Sequence, residues 1–211
     1  AGALNLAGIS AFKLGLLEEA IDLIKTSIFH KPDFAEAHTN LGNIFAHSGK
    51  FKEAELSYKK AMDVDQSHTE AFFNFGVLME SKGDLLMAYD AFQKVLELSP
   101  NHSPAWYGKG NINKQLGKIT CAKHDFERAI SIDSSFAEAR TNLASVLHEL
   151  GMFAQAAEEC EQALKLSSDL TEARYNLALA FQELDRYAEA IKLYNQVLQA
   201  QPKNAAAAMN V

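Results

Sequence analysis

Apolar and polar positions along this chain follow a helical period, and the helical phrase itself recurs. On a wheel of about 100° per residue, segment 35–47 puts His38, Leu41, Gly42 and Phe45 on one face. Glu36, Thr39, Asn40, Asn43, Ala46 and His47 fall on the opposite face. Segment 137–149 repeats the arrangement, with Arg140, Leu143, Ala144 and Leu147 on the first face. Each phrase leads into a second helical phrase, so the pattern predicts helix pairs. The distance between pairs is fixed. Ala20, Ala54, Ala88, Ala122, Ala156 and Ala190 are each 34 residues apart, and a phrase such as GLLEEA, GKFKEA or GMFAQA closes on each. The glycine opening that phrase recurs at Gly15, Gly49, Gly83, Gly117 and Gly151, and becomes Asp185 in the last copy. Pro32, Pro100 and Pro202 share one phase. The repeats read 1–34, 35–68, 69–102, 103–136, 137–170 and 171–204, with a partial seventh at 205–211.

These residues make the chain resemble the tetratricopeptide repeat (TPR) family. Within one repeat that family favours an aromatic residue at position 4, leucine at 7, glycine at 8 and an aromatic at 11. Glycine follows at 15, alanine at 20 and 27, an aromatic at 24 and proline at 32. AEAHTNLGNIFAHSGKFKEAELSYKKA and SPAWYGKGNINKQLG both fit. The first repeat departs most, with Ala7 and Ser27 in the leucine and second alanine places. The resemblance covers the whole chain and implies an all-α fold, an alpha-alpha superhelix in which helix pairs stack as a single TPR solenoid. The glycine at position 15 sits where the first helix ends, and a left-handed conformation there carries no Cβ penalty. Proline at position 32 stops the second helix. A lone helix pair cannot bury a core, so stability is a sum over repeats and their interfaces.

In the family the face carrying positions 2, 5, 6, 9, 12 and 13 lines a concave groove where partners bind. Position 6 holds Asn40, Asn74, Asn142, Asn176 and Asn210, interrupted by Leu6 and Gly108. Stacking predicts a ladder of amides, each with donors and an acceptor able to pair with an extended peptide backbone. The NLG and NFG phrases resemble the repeat arm of protein O-GlcNAc transferases. Asparagine is also common at this position across the family, so the ladder equally fits a well-formed repeat. Phe73, Tyr107 and Tyr175 flank it at position 5, and Asn43, Val77, Asn111 and Leu179 at position 9. The aromatics read either as anchors for a partner or as packing against the adjacent helix.

The fourth repeat is irregular. Lys109 and Asn113 stand at positions 7 and 11, on the face predicted to be buried. They read as a tolerated variant, with the lysine stem lying along apolar surface, or as a partner-specific notch. Trp106, the only tryptophan, is expected to pack against the second helix of its pair.

Charge narrows the partners. Lys and Arg number 20 against 27 Asp and Glu, a formal charge of −7. That excludes the basic face a dedicated nucleic-acid binder needs. Glu36, Glu70, Glu80, Glu138, Glu149, Glu172 and Glu183 outnumber Lys13 and Lys114 on the groove face, which favours neutral to basic ligands. Positions 2 and 6 carry no basic residue to clamp a carboxylate. No apolar run reaches the roughly 18 residues of a membrane span. The seven histidines show no metal-ligand spacing, GKGN lies inside a helical phrase rather than a phosphate loop, and no nucleophile–base set stands out. The expectation is therefore no metal, no cofactor and no catalytic residue. Cys121 and Cys160 form no disulfide framework, which fits a cytoplasmic setting.

The sequence is read as a non-catalytic scaffold binding an extended peptide or partner protein. Two alternatives remain: the substrate-recognition arm of a larger protein-modifying, glycosyltransferase-like enzyme, or a self-assembling protein whose end helices pair between copies. Both ends read as cut.

Overall fold

Every residue type that punctuates the repeat does so in the folded chain. The computed structural model describes residues 1–203 and 205–210. Asn204 and Val211, which close the sixth and the partial seventh repeat as read from the sequence, lie outside the described residues. The chain is all-helical, with thirteen helices and no strand among the described residues. They are α1 Gly2–Lys13, α2 Leu17–His30, α3 Ala35–His47, α4 Phe51–Val64, α5 Thr69–Ser81 and α6 Leu85–Leu98. Then come α7 Ser103–Gln115, α8 Ile119–Ile132, α9 Ala137–Glu149, α10 Phe153–Leu166, α11 Thr171–Glu183, α12 Tyr187–Ala200 and the short α13 Ala205–Met209. Two compact units contain them, Ala1–Asn101 and His102–Val211.

The turn within each pair shows why position 15 is glycine. Gly15, Gly49, Gly83, Gly117 and Gly151 have φ of 79°, 72°, 78°, 71° and 73°. The following N–H reaches back to the carbonyl at position 11, as in Lys50 N–H to Phe45 O at 2.8 Å and Met152 N–H to Leu147 O at 2.8 Å. This closes the orphan carbonyls of the first helix. Asp185 takes the same left-handed conformation at φ 60°. Where the chain leaves the second helix without proline, an Asp–Ser turn does the work. Ser67 N–H donates to Asp65 Oδ1 at 2.8 Å, and Ser135 N–H to Asp133 Oδ1 at 3.0 Å.

Glycine at position 8 serves close approach. A Cβ on Gly42 would stand 2.5 Å from the Tyr58 ring, one on Gly76 2.9 Å from Phe92, and one on Gly110 2.7 Å from Phe126. The aromatic at position 24 thus seats over the bare backbone of the first helix. Where position 24 is Cys160, position 8 can be Ala144, and both are fully buried.

Within each unit the helices stack in order, and the first helices of successive pairs also meet. In the first unit α1 contacts α3 and α3 contacts α5. In the second α7 contacts α9 and α9 contacts α11. The odd-numbered helices therefore build one wall, and that wall carries the candidate site.

Candidate functional site: the asparagine wall

The predicted amides lie on the seams between successive first helices. In the first unit Asn40 Nδ2 donates to Asn5 Oδ1 at 3.1 Å, and Asn5 Nδ2 donates to Glu36 Oε1 at 2.9 Å. Asn74 Nδ2 donates to Asn43 Oδ1 at 2.9 Å. In the second unit Asn142 Nδ2 donates to Asn111 Oδ1 at 2.9 Å and to the Tyr107 hydroxyl at 3.1 Å. Asn176 Nδ2 donates to the Thr141 carbonyl at 3.3 Å. Each amide is half-buried. Each gives an Nδ2 proton to the preceding repeat, and among the described residues no hydrogen bond takes the Oδ1 of Asn40, Asn74, Asn142 or Asn176. Those oxygens remain as acceptors. Asn210 is half-buried beside Tyr194, lining a second concave pocket of ≈ 350 Å³ with Gln182 and Tyr187. The Tyr194 hydroxyl donates to Gln182 Oε1 at 3.0 Å.

The position-5 aromatics pack inward. Phe73, Tyr107 and Tyr175 are half-buried, each with its ring centroid 5.8 Å from the position-24 ring of its own pair: Phe92, Phe126 and Tyr194. Tyr107 also meets Phe136 at 4.8 Å, and its hydroxyl fills the place in the ladder that Gly108 leaves bare. Position 9 is divided: Val77 is 45 % exposed, whereas Asn43 and Asn111 are held in the seam.

Between α3 and α5, above α4, the wall of the first unit opens into a concave pocket of ≈ 240 Å³. Asn43, Phe51, Tyr58, Asn74, Val77 and Leu78 are among its lining residues. Tyr58 spans it, donating its hydroxyl proton to Asn43 Oδ1 at 2.8 Å. Burial, with the Glu70 carboxylate as a further contribution, pushes the Tyr58 phenol up to about 12. Asn5, Tyr58 and Phe51 were not singled out from the sequence. Asn5 sits one place before the ladder position and Tyr58 at a position that reads as plain aromatic core. The signal was a hydroxyl where Phe92 and Phe126 have none.

The irregular fourth repeat resolves into a buried polar cluster. Asn113 Nδ2 donates to Asp125 Oδ2 at 2.6 Å, and Lys109 Nζ lies 3.6 Å from Asp125 Oδ1. Lys109 also stands 4.9 Å over the Trp106 ring, and Trp106 packs on His124 of α8. Asp125, only 2 % exposed, had passed unnoticed in the sequence at position 23, where other repeats place Leu23, Ser57, Ala91, Ala157 and Ile191. Burial pushes the Cys160 thiol up to about 12, which keeps it protonated, while Cys121 is exposed. Among the described residues no group of three His, Cys, Asp or Glu is placed to hold a metal ion, and no helix is long and apolar enough to cross a membrane.

Family models described as tetratricopeptide repeat match residues 35–68, 69–102, 103–136 and 135–203. No curated protein matches significantly. The chain is similar in fold to PilF of Pseudomonas aeruginosa, with a TM-score of 0.87 at 18 % identity over 97 % of this chain and 93 % of that one. It is similar to YrrB, a TPR protein with an unusual peptide-binding site, with a TM-score of 0.76 at 20 % identity over 88 % and 96 % of the two chains. It is also similar to MamA, with a TM-score of 0.71 at 23 % identity over 82 % and 94 %. These matches carry no specific likeness to the O-GlcNAc transferase arm. TPR proteins bind proteins or peptides and are generally non-catalytic scaffolds. Contiguous matches from residue 35 to residue 203, joined to the helix pairs and turn glycines above, place this chain in the tetratricopeptide repeat family.

Proposed function

We propose that the chain binds an extended peptide, or an extended segment of a partner protein, along the wall of first helices. The observation supporting this is the one-sided use of the ladder amides. Asn40, Asn74, Asn142 and Asn176 each commit Nδ2 to the seam and leave Oδ1 to solvent. An Oδ1 accepts a peptide N–H, and the second Nδ2 proton donates to a peptide carbonyl. Main-chain pairing of this kind gives affinity without reading side chains. YrrB offers a parallel within the same fold, since it is a TPR protein with a peptide-binding site.

The test is a peptide-library screen by fluorescence anisotropy, comparing wild type with the combined Asn40→Ala, Asn74→Ala, Asn142→Ala and Asn176→Ala protein. Because the amides also tie the seams, urea unfolding of both proteins accompanies the screen. Loss of peptide binding by a variant that remains folded is the expected result. Equal binding by both proteins removes the ladder as a contact surface.

A further inference from the structure

We propose that the ≈ 240 Å³ pocket between α3 and α5 receives a lysine or arginine side chain of the bound peptide. This rests on the peptide-binding reading above and names what the peptide must carry.

The polar atoms of the pocket are mostly acceptors. Tyr58 spends its hydroxyl proton on Asn43 Oδ1, so its oxygen presents lone pairs. Ser81, which also lines the pocket, spends its proton on the Leu78 carbonyl at 2.8 Å and presents lone pairs likewise. Asn74 Oδ1 has no hydrogen bond among the described residues and adds a third acceptor. A site so arranged calls for a donor-rich group. Lysine brings three donors and arginine five, and neither has an acceptor.

The rest of the lining suits the stem and the charge. Phe51 and Val77 are 49 % and 45 % exposed, leaving apolar surface for a methylene chain. The Phe51 ring is also available to a cation. Neither α3 nor α5 contains a lysine or arginine, while Glu36, Glu70 and Glu80 lie on their wall positions. The nearby Lys59 and Lys82 are both engaged by Glu55. An apolar guest would cover three acceptors without satisfying them, which is costly. An acidic guest would face lone pairs and Glu70.

The experiment is a positional-scanning library of extended peptides with Lys, Arg, norleucine, Phe or Glu at each site, read by anisotropy at low and high salt. At one position Lys and Arg should exceed norleucine by about fivefold, as one exposed ion pair and one cation–π contact allow. High salt and Glu70→Gln should each shrink that ratio, and Val77→Lys, which fills the pocket with its own ammonium, should abolish it while norleucine peptides bind as before. A preference for Phe, or no preference at any position with binding retained, overturns this inference and leaves the peptide reading standing. Absence of binding by any peptide to the wild type overturns both.

Discussion

The fourth and fifth repeats share one backbone plan and fill it differently. In α9 and α10 the contacting positions carry Leu143, Leu147, Ala157 and Cys160, all buried and apolar. The only polar tie at the edge is Arg140 Nη1 donating to Glu159 Oε2 at 2.7 Å. In α7 and α8 the equivalent positions carry Lys109, Asn113, Asp125 and Phe126, and the first three join through the Asp125 carboxylate. The family backbone therefore tolerates charge inside a helix pair when each member brings the others' partner. The three residues have to be exchanged as a set, because any one alone leaves a buried charge or amide unmatched.

Breaking the cluster should give the largest effect. Asp125→Ala leaves Lys109 facing apolar surface and should cost about 3–5 kcal/mol. Copying the fifth repeat with Lys109→Leu, Asn113→Leu and Asp125→Ala together should return near wild-type stability. Urea unfolding of both proteins decides it, and equal loss in the two would show that the cluster is no unit. Asn113→Leu alone removes the 2.6 Å donor and should fall between them, at about 1–3 kcal/mol.

Packing at position 8 sharpens the same comparison. Gly110→Ala puts a methyl 2.7 Å from the Phe126 ring, and overpacking of that kind costs about 1–3 kcal/mol. Ala144 already carries that methyl over the smaller Cys160. Combining Gly110→Ala with Phe126→Cys should therefore recover part of the loss, which thermal unfolding reads directly.

The turn glycines predict a smaller change. Gly151→Ala at φ 73° should destabilise by about 1 kcal/mol. Asp185→Gly at the equivalent site relieves a left-handed aspartate but forfeits the Tyr187 hydroxyl bond to Asp185 Oδ1 at 2.7 Å. Its net change should be smaller than that of Gly151→Ala.

The smallest expected effect is acidic. Hydrogen bonds from the Ser67 and Ser135 side chains and backbones lower Asp65 and Asp133 below the ordinary 3.8. The folded carboxylate releases its proton more readily than the unfolded one. Its contribution is present above the unfolded value and fades as pH falls through the lowered folded value. Both groups are exposed, so Asp65→Asn with Asp133→Asn should only slightly flatten the acid limb of a stability–pH curve.

The helix pairs, their boundaries near Gly15 and Pro32, and the face bearing Asn40 and Asn74 were legible because each depends on local chemistry repeated every 34 residues. The inward packing of Phe73, Tyr107 and Tyr175 was left open, because a wheel assigns a direction to a side chain and not the length of its reach. Asp125 escaped notice because one repeat read alone shows an aspartate on a helix, and its two partners come from the facing helix.

Sequence alone determined the repeat, the turns and which helix face holds the amides, since backbone preferences and periodicity act over a few residues. Only tertiary structure decided which amide proton is spent and which oxygen is left, which ring closes a pocket, and which charge is buried. Those outcomes depend on distances between helices that are neighbours in space, set by whether a bare glycine or an added methyl lies beneath the ring opposite.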